Sequence, residues 1–356
     1  MFRFSGPILF YLLSLSTGLA QWRAPKYSNE FLSIGAGASG LAMSGAQTAF
    51  ANDLTAAYWN PAGLALQKTK NEFGLMHASY FAGIANYDYA GFSTKVDSLG
   101  TLAITFIRFG IDDIPDTRFL IDNGQVDYRK ITSFSSADNA LFFSYGRRNV
   151  GIKGLCIGGS LKVIYRNAGK FANAWGFGLD AGIRYSYKKW QFGIMAKDVA
   201  TTFNAWSFNT TEFEDVFAKT GNAIPTNSVE ITLPTWSFGF ARKFNLVKNK
   251  VSLTPVGDIV FTFDGQRNNG GISTKAVSID PRFGLEVSAL NILYFRSGIA
   301  NWQKIKNFEN GTYWSYQVNF GVGLKWKAIG IDYAITDLGN LAESLYSHVF
   351  SLKAMF

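Results

Sequence analysis

The feature that most constrains this chain is a run of side chains alternating with period two. Through residues 175–187 the odd positions are Trp175, Phe177, Leu179, Ala181, Ile183, Tyr185 and Tyr187. The even positions are Gly176, Gly178, Asp180, Gly182, Arg184 and Ser186. Successive side chains of an extended strand point to opposite faces, so one face is wholly apolar and the other small or charged. A helix would spread both sets around its axis. The pattern recurs. Leu155, Ile157, Leu161, Val163 and Tyr165 oppose Cys156, Gly158, Ser160, Lys162 and Arg166, and Trp314, Tyr316, Val318, Phe320, Val322, Leu324 and Trp326 oppose Ser315, Gln317, Asn319, Gly321, Gly323 and Lys325. Ile329, Ile331, Tyr333 and Ile335 oppose Gly330, Asp332 and Thr336.

A soluble sandwich would turn its apolar faces inward, whereas a transmembrane barrel turns them to lipid and lines its lumen with the polar ones. The composition favours the barrel. Hydrophobic residues make up 47% and charged residues only 17%, with 36 Gly and 16% aromatics. Yet the interior of the chain lacks the run of about 18 apolar residues that a spanning helix needs. Residues 1–20 have the pattern of a secretory signal: Arg3, an apolar core over residues 7–16, and small residues at Gly18 and Ala20 before Gln21. The single cysteine excludes an internal disulfide framework.

Fourteen strands are expected, centred near residues 76, 92, 104, 143, 159, 181, 194, 236, 257, 282, 295, 319, 332 and 350. The connections near Asp97, Asn149, Lys189, Val247, Asn291 and Ala328 look short, whereas 110–136, 201–227 and 301–311 look long. Short turns at one end and long loops at the other mark outer-membrane barrels. Trp175, Trp236 and Trp314 fall at the loop end and Tyr187, Trp190 and Trp326 at the turn end, as two interfacial girdles require. The last strand ends in Phe356, and a C-terminal aromatic there resembles the assembly signal of such barrels. The expected organisation is a signal peptide over 1–20, a short, partly helical N-terminal plug over 21–70, and an all-β, 14-stranded antiparallel transmembrane barrel over 71–356.

The plug segment contains Gly35, Gly37 and Gly40 in the spacing G-x-G-x-x-G. A dinucleotide site needs a strand before that run, a helix after it and a second parallel strand. Residues 30–34 are a weak strand, and Asn60-Pro61-Ala62-Gly63 would break the unit, so no cofactor is expected. Gly35, Gly37, Gly40 and Gly45 instead permit close backbone packing. Asp53 is placed to cap a short helix over 54–59, and Pro61 forces Asn60 out of helical geometry before starting another turn.

The run from Gly35-Ala36-Gly37-Ala38 through Ala56-Ala57-Tyr58-Trp59-Asn60-Pro61-Ala62-Gly63-Leu64-Ala65 resembles the PorV/PorQ-like outer-membrane proteins, relatives of the FadL-type barrels. Gly110-Ile111-Asp112-Asp113-Ile114-Pro115 is similar to the same family. Departures at Ser39, Ala42 and Ser44, where the family often carries arginine or glycine, leave the subgroup open. The resemblance implies a FadL-like fold in the bacterial outer membrane. It also implies a non-enzymatic adaptor or shuttle for type IX secretion components or secreted cargo domains, as in Bacteroidota. Asp112, Asp113 and Asp116 in the first long loop would then belong to a partner surface, with the other long loops. The alternative is a FadL-like transporter of a hydrophobic ligand. It requires an apolar pocket behind the plug and a strand kink, for which Pro255 and residues 154–159 are candidates. A structural barrel without a client is the third reading.

The remaining polar residues suit a wall rather than a catalyst. His77 and His348 are far apart in sequence, so no metal centre or triad is expected. Cys156 falls on the lumen face among small residues. The acids Asp112, Asp113, Asp116, Asp122 and Asp127 miss the spacing of a calcium loop. Lys162, Arg166, Asp180, Arg184, Lys197, Arg282, Glu286, Arg296, Lys325 and Asp332 are expected to face the lumen as a salt-bridge lattice holding the plug. The net charge of +9 falls to 9 − 1 = +8 once Arg3 leaves, and in an exported chain it does not point to nucleic acid. The expected partners are therefore outer-membrane lipid and the type IX proteins or ligand named above.

Overall fold

The computed structural model describes residues 28–356 apart from 123, 213, 215–216, 218–220, 222, 224–225, 248–249, 268–271, 307–310 and 339–345. The expected signal peptide lies outside the described residues. The barrel strands are β1 (Asn71–Tyr80), β2 (Ala85–Lys95), β3 (Gly100–Asp116), β4 (Thr132–Arg148), β5 (Leu155–Ala168) and β6 (Ala172–Tyr187). Next comes β7, in two pieces (Trp190–Lys197 and Thr202–Phe208), and β8, in three (Ser228–Thr232, Thr235–Arg242 and Phe244–Leu246). The rest are β9 (Val251–Thr262), β10 (Ser278–Ala289), β11 (Leu293–Lys306), β12 (Thr312–Trp326), β13 (Ile329–Leu338) and β14 (Ser347–Met355). Each pairs antiparallel with its neighbours, and β1 closes on β14 in register from Glu72↔Met355 to Ser79↔His348. The result is a closed 14-strand antiparallel barrel. Every expected strand centre falls within one of these strands.

The faces are inverted relative to a soluble protein. In β6 the buried and exposed positions alternate, and it is the apolar set that is exposed: Trp175 at 53%, Phe177 at 58% and Leu179 at 48%. Asp180 and Arg184 on the other face are buried. The same holds for Phe320, Val322 and Leu324 of β12. An apolar belt of this extent is stable only against lipid, and closure leaves no unpaired edge within it. No helix among the described residues is long and apolar enough to cross a membrane.

Three long connections are shorter than expected because the strands continue past the belt. β3 reaches Asp116 and β4 starts at Thr132, β7 reaches Phe208, and β11 reaches Lys306. Longer ladders keep backbone groups paired where a loop would leave them to water. Ile121–Asp122 and Gln125–Val126 add a small hairpin at the tip of the first loop. The candidate kinks also fall elsewhere. Residues 155–168 of β5 pair with β6 without a register shift, and Pro255 sits in register opposite Leu285. The break is in β7 instead.

Inside the barrel, residues 28–70 form a chain of short elements. A 3-10 turn, Glu30–Leu32, precedes α1 (Ala38–Ala42), and α2 (Ala56–Trp59) precedes a second 3-10 turn, Pro61–Leu66. A 3-10 turn thus stands before the glycine run, where a dinucleotide fold has a strand. Asn60 is extended at φ −166° and accepts from Ala62 N at 3.2 Å, with Pro61 opening the turn as expected. The helix after Asp53 starts two residues later than expected. Asp53 Oδ1 accepts from Thr55 N at 2.9 Å in a turn that leads into it.

Candidate functional site

The plug is built around Trp59. Its indole nitrogen donates to Ala36 O at 2.8 Å, and the ring lies against Gly35, Gly40 and Gly45. A Cβ on Gly40 would come within 2.9 Å of the indole nitrogen, and one on Gly35 within 2.7 Å of Leu41. Gly35, Gly37 and Gly45 also hold φ of +121°, +83° and +73°, which side chains rarely adopt. Gly35, Gly40 and Gly45 therefore form a socket for one indole, and Gly37 packs against Thr55.

The wall meets the plug with glycines of its own. Gly146, Gly158, Gly182, Gly193, Gly239, Gly298 and Gly321 lie on seven different strands, and a Cβ on any of them would collide with residues 42–65 of the plug. Between these contacts, wall side chains take up the plug's backbone groups. Arg184, 1% exposed, donates to the carbonyls of Ala49 and Ala51 and to Gln191 Oε1 at 2.8 Å. Asp258 accepts from the amides of Gln47 and Thr48, both at 2.9 Å, and Glu72 from Leu54 N at 2.9 Å. Asn60, fully buried, donates to the carbonyls of Thr48, Ile183 and Ile194 at 2.9, 3.2 and 3.3 Å. Asp53 pairs with Lys353. Burial alone would push the Asp53 carboxyl up, but Lys353 and the Thr55 donors outweigh it and hold it below its ordinary value.

The expected lumen charges separate into groups. Lys162, buried, sits 2.8 Å from Asp180 and 2.6 Å from Asp198. Arg296 joins Glu286 at 2.7 Å and Asp332 at 2.6 Å, and Lys353 is 3.8 Å from Asp332. Arg166 pairs with Asp138 at 2.9 Å and Glu230 at 3.3 Å, and Arg282 with Asp280 at 2.8 Å. Lys325 lines the vestibule at the turn end. Arg184 bonds plug carbonyls rather than a carboxylate. Glu72, Asp258 and Lys353 belong to the same set, and their signal was available: each lies on the small-residue face of its strand.

Among the described residues, cavities adjoin the plug at both ends of the barrel and beside β7. One of about 380 Å³ opens at the turn end and is lined by charge, including Asp53, Glu72, Lys243, Arg296, Lys325 and Asp332. One of about 270 Å³ lies towards the loop end between Ile34, Leu41, Trp59, Tyr80 and Arg282. One of about 120 Å³ lies between Tyr58, Trp59, Lys197, Leu233, Pro234 and Val260. The expected apolar pocket behind the plug is thus replaced by a charged vestibule. The groove with a mainly apolar lining faces lipid instead, between Leu285, Phe295, Phe320 and Tyr333.

The 120 Å³ chamber abuts the break in β7. Ala196 pairs with Ala181 and Phe203 with Phe177, so six residues of β7 (197–202) face three of β6 (178–180). The extra residues bulge as a turn closed by Thr201 N to Asp198 O at 2.8 Å. Lys162 and Asp180 pin it from inside, with Asp198 N donating to Asp180 at 2.8 Å. Val199 is exposed on it, and the neighbouring β8 breaks at Leu233–Pro234 at the same level. The ladder of the barrel wall is interrupted here, next to a lumen chamber.

At the loop end, Asp112 and Asp113 are exposed at a bulge of β3, with Asp113 at φ +56°. Asp116 departs from the expected partner surface. It is buried, and Arg118 bonds it at 2.8 Å while reaching Glu212 at 3.2 Å. A carboxylate needs such a cover when withdrawn from water. Lys170 at 3.2 Å and Arg118 hold the Glu212 carboxyl below the usual carboxylate range. Two further acids of this loop pair with arginines, Asp112 with Arg108 and Asp127 with Arg129. His77 and His348 stand on β1 and β14, against Asp88 and Tyr333.

The closed 14-strand antiparallel barrel matches the FadL-like outer-membrane barrels. The chain shares its fold with the toluene transporter TbuX of Ralstonia pickettii (TM-score 0.54, 14% identity, 90% of this chain and 98% of that one). It is similar in the same way to the toluene transporter TodX of Pseudomonas putida (TM-score 0.56, 15% identity, 90% and 99%). A Pseudomonas aeruginosa FadL homologue aligns at TM-score 0.50 and 11% identity over 90% and 97%. No family model matches the sequence, and no curated protein does.

Proposed function

We propose that this chain is a non-enzymatic conduit of the bacterial outer membrane that takes hydrophobic small molecules from outside and releases them sideways at the break in β7. The observation that carries this reading is the juxtaposition of the β7 break with a lumen chamber, above a vestibule lined by charge. A single ring exposing roughly 200 Å² loses about 5 kcal/mol on passing from an apolar to an aqueous environment, which opposes its passage through a vestibule lined by charge. A sideways step through the wall into lipid avoids the loss. The fold is also that of two proteins described as toluene transporters, which supports a ligand of this kind. The test is uptake of radiolabelled toluene by cells with and without the chain. Faster entry with it is expected, and equal rates would refute the conduit.

A second reading, transfer of type IX secretion cargo, is favoured by the first outer loop. Arg118 fastens that loop to the segment around Glu212, and Phe119, Ile121, Val126 and Tyr128 are exposed beside it. On this reading, deletion of the gene leaves type IX cargo in the periplasm. Unchanged secretion would remove it.

A further inference from the structure

We propose that the 120 Å³ chamber beside the β7 break is a binding site for a single-ring aromatic carboxylate, held through Lys197. The proposal rests on the conduit reading for access to the chamber, and adds to the hydrophobic ligands of that reading one that carries a carboxylate. It begins with the charges around the chamber, each of which has a partner except one. Asp180 and Asp198 share Lys162. Asp258 accepts two plug amides. Arg267 holds Asp264 at 2.5 Å and Glu30 at 2.9 Å, and Arg282 holds Asp280. Lys197 has no carboxylate within 4.0 Å among the described residues. Its ammonium instead lies 4.0 Å from the centre of the Tyr58 ring and 5.9 Å from that of Trp59. A cation whose ammonium touches ring faces, and whose neighbouring carboxylates Asp180 and Asp198 are bonded to Lys162 instead, leaves a place for an anion.

The rings define what else the ligand carries. Tyr58 and Trp59 meet edge-to-face with centroids 4.8 Å apart at 89°. Their polar ends are satisfied, Tyr58 OH donating to Leu32 O at 2.5 Å and the Trp59 indole to Ala36 O. They therefore offer fixed aromatic surface rather than hydrogen bonds, which suits a third ring. Leu233, Pro234 and Val260 add apolar lining. Size then limits the ligand. The chamber's 120 Å³ is below the roughly 150 Å³ of a cavity that accepts benzene, so it holds no more than one ring, whose carboxylate would extend towards Lys197, and it excludes a long chain.

The test uses the full chain in detergent, titrated with benzoate and with benzyl alcohol, its neutral counterpart of similar size, and read by calorimetry. Wild-type protein is expected to bind benzoate at least tenfold more tightly. Lys197→Met should remove that preference, and Lys197→Arg should keep it. Retention of the heat-dependent gel shift of a folded barrel qualifies each variant. Equal affinity for the two compounds in the wild type overturns the carboxylate site without any variant, as does a preference that survives Lys197→Met. Toluene uptake that persists despite equal affinities would leave the conduit standing while the carboxylate site falls.

Discussion

Single residues hold the plug, and their removal has definite expected consequences. Arg184→Met preserves bulk but leaves the carbonyls of Ala49 and Ala51 buried without a donor. At about 1–3 kcal/mol per orphaned group, the plug should loosen while the barrel stays folded. Planar-bilayer recordings should show current steps that the wild type lacks, and a silent variant would mean the plug is held by packing alone. Asp53 gives a dependence on pH. Its carboxyl is held below the ordinary value of 3.8, so ionisation favours the docked plug. That contribution is present above pH 3.8 and is lost as pH falls through the lower folded value. Conductance should therefore rise in acid, and Asp53→Asn should show the loosened behaviour at neutral pH already.

Elements divide into those written locally and those imposed from a distance. The strands were legible because lipid selects every second side chain over long stretches, as in β6 and β12. Leu179→Arg, on the lipid face, should cost about 2–4 kcal/mol near the membrane midplane, read as a lower yield of heat-modifiable barrel on refolding into vesicles. The break in β7 was not legible. Residues 198–201 contain neither glycine nor proline, and the bulge is set by Lys162 and Asp180 from the two preceding strands. Pro255 looked like the better candidate, yet it interrupts pairing locally without shifting register. Asn60 and Pro61 were readable as a turn, but the bonds from Asn60 to β6 and β7 depend on contacts more than a hundred residues away. Asp116 misled because an acid in a loop looks exposed, and its arginine cover appears only once the chain is folded.

At the scale of the molecule, the wall glycines and the plug glycines form one design. Seven strands give up side chains at the level where residues 42–65 cross the lumen, so wall and plug touch through backbone. Gly158→Leu should force the two apart. Overpacking of this kind costs about 1–3 kcal/mol, and the expected result is a lower temperature for the gel shift together with leak currents. With the lumen filled in this way and charged at its turn end, the proposed function requires a hydrophobic ligand to leave by the β7 break. The most direct measurement removes residues 199–201, which restores near-equal lengths of β6 and β7, and follows toluene uptake in cells carrying equal amounts of folded barrel. A lateral conduit requires uptake to fall to the level of cells without the protein. Uptake undiminished by the closed wall would contradict it.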